Sequence, residues 1–340
     1  MAVTLNGQQK RIGIALSGGG FRAAAFHLGV MRKLKELNLL HKIDVLSCVS
    51  GGSIAGGHLA VNWGRPDALD TLAEYLSSRS IAVSSFIGGA LDPFHSRLDK
   101  LAQSYDRDLF QGKSLAALRN GPRVYFNTTN LATGNLFFFV AGGGLAEEMG
   151  EHELGVAPAS SFPISRAVAA SSAFPPVFPP LRLDSDVYPH ASAVEYVTLA
   201  DGGVYDNMGV NPLLRQTRAN LDYLIVSDGG KPFAIDDRPT ESGAMVLRVS
   251  LDIMMEQIRG LEFDRIQHHH LANKGPKPLW FSIDSVEGEL QPGDAAFASA
   301  VGTNLKRLTA AEMDVLARHG GALLTARIDR YAPELKSVAR

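Results

Sequence analysis

The chain has 340 residues, 45% hydrophobic and 20% charged, with a formal net charge of −2. That is the balance of a globular protein with a large core, and a charge so near zero gives no footing for a nucleic-acid partner. One cysteine excludes an internal disulfide and any zinc-finger spacing. Residues 1–11 are polar, without the apolar stretch of a signal peptide, and no apolar run reaches membrane-spanning length. A cytoplasmic protein, at most peripheral to a membrane, is the expectation; export without an N-terminal signal is left open.

In chain order, residues 11–16 read as a buried first strand. Ser17-Gly18-Gly19-Gly20 is a glycine turn, and 21–39 has helical composition. Residues 42–49 form a second strand that ends abruptly at Ser50-Gly51-Gly52, and a small-residue helix follows to about 63. Helices are expected at 67–79 and 97–110, with an apolar, Gly/Pro-broken connector at 84–95 between them. Strands are expected at 123–127 and 135–140. The triplet Phe137-Phe138-Phe139 reads as buried strand more readily than as a lipid-facing surface. A helix at 164–172 is stopped by Phe174-Pro175-Pro176-Val177-Phe178-Pro179-Pro180, because proline cannot continue it. A short strand at 197–200 ends in Asp201-Gly202-Gly203. Another strand follows at 223–228, then a loop at 232–243 and a long helix at 245–271 ending in His268-His269-His270. The last strand is expected at 279–283. Thr309-Ala310-Ala311-Glu312 is a capping box, and its helix is expected to stop at His319, before Gly320-Gly321. No repeat or linker interrupts the alternation of strands and helices, so one α/β domain over 1–340 is expected. Its motif-bearing core covers about 11–215, and further strands and helices fill 216–340.

Three stretches can carry chemistry. The glycine turn at 18–20 can present free N–H groups at a helix N-terminus, an anion-binding arrangement. It also fits the loose Gly-x-Gly-x-x-Ala pattern of a dinucleotide site, with Asp44 about 20 residues on as the ribose acid. Ser50 stands at a strand–turn–helix junction, where a helix cap and an exposed nucleophile are both possible. Asp201 closes a strand in the same manner. Together the three supply what acyl transfer requires: an attacking hydroxyl, a proton acceptor and an oxyanion site. The three adjacent histidines point about 100° apart on a helix and cannot share one metal.

These blocks, in this order, resemble the patatin-like phospholipase family. The resemblance rests on Ser17-Gly18-Gly19-Gly20-Phe21-Arg22, on Ser50-Gly51-Gly52, on the Ser171-to-Pro180 proline block and on Asp201-Gly202-Gly203, and it runs from about 11 to 212. It implies a three-layer α/β/α sandwich with a mainly parallel central sheet. It also implies a serine hydrolase that cleaves phospholipid or lysophospholipid esters with a Ser50–Asp201 dyad in direct contact. On the same footing Gly18, Gly19 and Gly20 hold the oxyanion, and Arg22, Gly51, Gly52, Gly202 and Gly203 support the site. Neither metal nor cofactor is implied. The substrate would be membrane or micellar lipid, with Phe86, Phe94, Phe174 and Phe178 as candidate lining of an acyl channel.

Two positions depart from the family pattern. Cys48 stands where the serine elbow usually has its first glycine, and Ala23 where the oxyanion loop usually closes with glycine. Cys48 itself would be a buried, inert thiol. Three other readings compete: a Ser–His–Asp esterase using His268, His269 or His270, a nucleotide binder using the glycine turn, and an idle lipid-binding module.

Overall fold

The protein is described here by a computed structural model covering residues 3–5, 7–81, 93–189, 194–215, 217–233 and 238–339. A short hairpin, β1 (Val3–Leu5) with β2 (Gln8–Lys10), precedes the main sheet. That sheet has ten strands. Its first half is parallel: β12 (Lys277–Ser282), β11 (Tyr223–Asp228), β3 (Ile12–Leu16), β4 (Ile43–Cys48) and β5 (Arg123–Asn130) lie side by side in that order. β6 (Leu136–Ala141), β7 (Glu148–Glu151) and β8 (Gly155–Pro158) extend it as antiparallel hairpins.

Burial on both faces explains the continuous apolar runs of the parallel strands. Ile12, Ile14, Leu16, Leu46 and Cys48 enter the larger core. α1 (Gly20–Glu36), α2 (Gly51–Val61), α3 (Ala68–Ser78), α5 (Ile164–Ser171) and α9 (Ala310–Tyr331) contribute to the same core. Ala15, Val45, Leu224 and Val226 point the other way, toward Met208 to Leu221 and α7 (Gly243–Leu271). The result is the three-layer α/β/α arrangement expected, around a mixed sheet. Phe137 and Phe139 go to the first face and Phe138 to the second, all buried. Among the described residues no helix is long and apolar enough to cross a membrane.

β7, β8 and a strand at 181–184 go beyond the sequence expectation, and two further differences bear on packing and on the site. α9 does not stop at His319; it runs through Gly320-Gly321 to Tyr331. A Cβ at Gly320 would come within 2.3 Å of the Phe26 carbonyl oxygen, and one at Gly29 within 1.8 Å of that of Ala317. The glycines therefore let α1 and α9 touch backbone to backbone, and that packing outweighs their poor helix propensity. The second difference positions the site. β10 (Tyr196–Asp201) is not a further parallel strand. It pairs antiparallel with β5 and with β9 (Leu181–Asp184).

Candidate active site

β5 is long enough to hold two strands on one edge. β4 pairs with its first half, Cys48 opposite Phe126, and β10 with its second half, Asp201 opposite Thr128. Parallel β4 and antiparallel β10 thus run toward each other along β5. Their carboxyl ends meet two β5 residues apart, about 7 Å at the usual strand rise. Ser50 leaves the end of one, and Asp201 ends the other.

Ser50 carries φ 50° and ψ −116°, a conformation that costs a non-glycine residue energy and persists only where the surroundings impose it. The surroundings are specific. The Ser50 N–H donates to Ser171 Oγ at 3.0 Å, Ser53 Oγ lies 2.8 Å from the same oxygen, and Ser171 Oγ donates to the Asn127 carbonyl at 2.7 Å. Two residues on, the Ala173 carbonyl accepts the Asp201 N–H at 3.0 Å. The end of α5 therefore braces both halves of the pair. Gly51 and Gly52 let α2 approach closely: a Cβ on either would sit 2.1 Å from a carbonyl oxygen, of Gly20 and Leu16 respectively. Gly202 is in a similar position, 2.4 Å from the Asn127 carbonyl.

Cys48 fits because α2 yields to it. A Cβ at Gly56 would lie 2.4 Å from Cys48 Sγ, so the helix omits a side chain where the strand has gained one. Burial pushes the Cys48 thiol well above its ordinary pKa, leaving no thiolate to attack.

Asp201 is buried. One carboxylate oxygen, Oδ1, accepts the Gly203 N–H at 2.7 Å. The other, Oδ2, has no hydrogen-bond partner. Burial pushes its pKa up to about 7, opposed by the Gly203 N–H and by the Ser50 hydroxyl. The Ser50 hydroxyl is thus near enough to the carboxyl to favour its ionised form.

The glycine turn lies beside Ser50. A Cβ on Gly18 would stand 3.3 Å from that of Ser50. The Gly18 N–H is already committed to the Asn207 carbonyl at 3.0 Å, and the Phe21 N–H to that of Asn304 at 2.9 Å. Among the described residues no acceptor takes the N–H of Gly19 or Gly20, and both residues have positive φ, 140° and 62°. Arg22 is buried and spans two loops, reaching the Gly229 carbonyl with Nη2 at 3.1 Å and that of Val301 with Nη1 at 3.0 Å. Burial lowers its pKa to about 10. It supports the turn and is not exposed to a ligand.

Two of the competing readings, the dinucleotide site and the Ser–His–Asp esterase, find little support in this geometry. Asp44 lies at the start of β4, accepting the Ile12 N–H at 2.9 Å, at the opposite end of the sheet from the glycine turn. It cannot serve as the ribose acid of a dinucleotide site, which belongs at a strand's carboxyl end. His268, His269 and His270 close α7 just before β12 begins, again at the far end of the sheet from Ser50. His27 is nearer but structural: Nδ1 meets Ser227 Oγ at 2.8 Å, Nε2 meets the Ser17 carbonyl at 3.0 Å, and burial lowers its pKa to about 4. Among the described residues no group of side chains could hold a metal ion. Of the aromatics proposed for an acyl channel, Phe178 is in the core and Phe174 is half-buried. Phe86 and the side chain of Phe94 lie outside the described residues.

What sequence reasoning did not find were the braces. Ser171 opens the proline block that carries part of the resemblance, but nothing local in the sequence shows that its hydroxyl reaches the Ser50 N–H. Gly56 had one, a glycine inside a helix with no turn to explain it.

A family model described as patatin-like phospholipase matches residues 14–214. No curated protein sequence matches the chain. Among solved structures, human GIVD cytosolic phospholipase A2 superposes with a TM-score of 0.58 at 14% identity, covering 97% of this chain and 63% of that one. The same human enzyme in complex with methyl γ-linolenyl fluorophosphonate gives 0.57 at 13% identity, with 97% and 59% covered. The chain thus spans about three fifths of these structures, and the likeness is one of fold.

Proposed function

The chain belongs to the patatin-like phospholipase family, and from that premise we propose that it is a lipid acyl hydrolase acting through Ser50 and Asp201. The observation that carries this reading is the head-on meeting of β4 and β10 along β5, which brings a strained serine to a buried carboxyl with one unpartnered oxygen. Ser50 Oγ attacks the ester carbonyl carbon as its proton passes to Asp201 Oδ2. The oxyanion that forms is held by the N–H groups of Gly19 and Gly20, with Gly18 shaping the turn rather than donating. Collapse expels the alcohol, which takes the proton back from Asp201. Water then attacks the Ser50 ester as its proton passes to Asp201, and collapse releases the fatty acid while Ser50 Oγ takes that proton back.

A carboxylate of ordinary pKa is a poor base for this task. Raising Asp201 to about 7 brings it near working pH, the condition in which proton transfer and ionisation are both served. Head group, acyl position and lipid class are chosen by residues beyond the dyad. The test is hydrolysis of a panel of phospholipids, lysophospholipids and p-nitrophenyl esters of graded length by the wild type and by Ser50→Ala. Turnover of long-chain esters that Ser50→Ala lacks is expected. Equal turnover by both proteins, or none by either, would refute the proposal.

A further inference from the structure

Far from Ser50, where β3, β4 and β5 begin, the surface holds a cleft of about 540 Å³ lined by Arg11, Arg119, Arg123 and Arg218, with Asp44 and Asn120. We propose that this cleft binds a soluble oligophosphate, recognised by the four guanidinium groups. Its charge is accounted for group by group. Arg11 lies 3.9 Å from Asp44, whose other oxygen holds the Ile12 N–H. Arg119 makes a long pair with Glu147 at 3.4 Å. Arg123, buried, donates to the carbonyls of Gly142 and Ala146 and stands 3.7 Å from Glu148. Arg215 lies close enough to Arg218 for their charges to repel.

Arg218 is the exception that points to a ligand. It is half-buried and stacked on the Phe138 ring at 4.6 Å, and it has neither a carboxylate partner nor a side-chain hydrogen bond among the described residues. Arg123 and Arg218 both lie near enough to Tyr125 for their charges to act on its hydroxyl. A guanidinium removed from water without a counter-ion is costly, and stacking by its face leaves its edge donors free for a planar or tetrahedral anion. Several arginines converging on one cleft suit phosphate groups, which they bind in bidentate fashion. The volume suits a ligand of nucleotide size.

The choice of a soluble source rests on the proposed lipid substrate. Arg123 opens β5 and Asp201 pairs with Thr128 near its end, so cleft and dyad stand ~17 Å apart along the strand. With the Ser50 end toward a lipid surface, the cleft faces away from it.

Calorimetric titration with pyrophosphate and with ATP tests this without any reading of hydrolysis, so its failure and that of the proposed activity are separable. Submillimolar binding of either is expected, weakened at least ten-fold in Arg218→Gln and in the exposed Arg119→Gln, with ester turnover by Arg119→Gln unchanged. No binding, or binding undiminished in both variants, would overturn the proposal. Attachment to vesicles containing phosphatidylinositol bisphosphate that neither pyrophosphate nor ATP displaces would overturn the soluble source.

Discussion

At Asp201 the needs of chemistry and of folding oppose each other. As the proposed base it must be ionised, so kcat/KM should climb with pH and level off above about 7. For stability the sign is reversed. The folded state keeps a proton that the unfolded chain has released between the ordinary value, 3.8, and about 7. Stability is therefore lost as pH rises across that window, and the loss is complete above it. Asp201→Asn should abolish turnover and yet be more stable to unfolding than wild type near pH 8, by up to a few kcal/mol, with the two curves converging near pH 4. A melting difference independent of pH would remove the argument from burial. Ser171 acts one step away. Ser171→Ala leaves the Ser50 N–H without its acceptor, a loss of about 1–3 kcal/mol. It should lower kcat far more than it raises KM, since it loosens the proposed nucleophile and is not proposed to touch substrate.

The elbow between β4 and α2 works as a matched pair of residues. Gly56→Ala should destabilise by about 1–3 kcal/mol through overpacking against Cys48 Sγ. Cys48→Ala should relieve it, so a double-mutant cycle is expected to give a coupling of similar size; additive effects would show that the two side chains do not share the space. This also marks what was legible in the sequence. Ser50 and the glycine turn could be read because strand, small residues and helix follow one another locally. Asp201 could be read as a strand end, but the direction of its strand could not, since antiparallel pairing with β5 is a long-range choice that leaves no local pattern. Gly320-Gly321 misled for a related reason. Their neighbours in α1 are remote in sequence, and without them two glycines look like a helix stop.

The whole molecule separates its two ends. Parallel strands carry Ser50 and the glycine turn to one end, and leave the arginine cleft and the closing histidines of α7 at the other. Alanine at His268, His269 or His270 should leave ester turnover within about two-fold, because a dyad needs no imidazole; loss of turnover in a folded variant would restore a Ser–His–Asp reading. The most direct measurement of the central claim is the site of covalent labelling by a long-chain fluorophosphonate, located by peptide mass mapping. One adduct per chain on Ser50, absent from Ser50→Ala and much slowed in Asp201→Asn, is the expected result. An adduct on another residue, or labelling of Ser50→Ala at the wild-type rate, would contradict it.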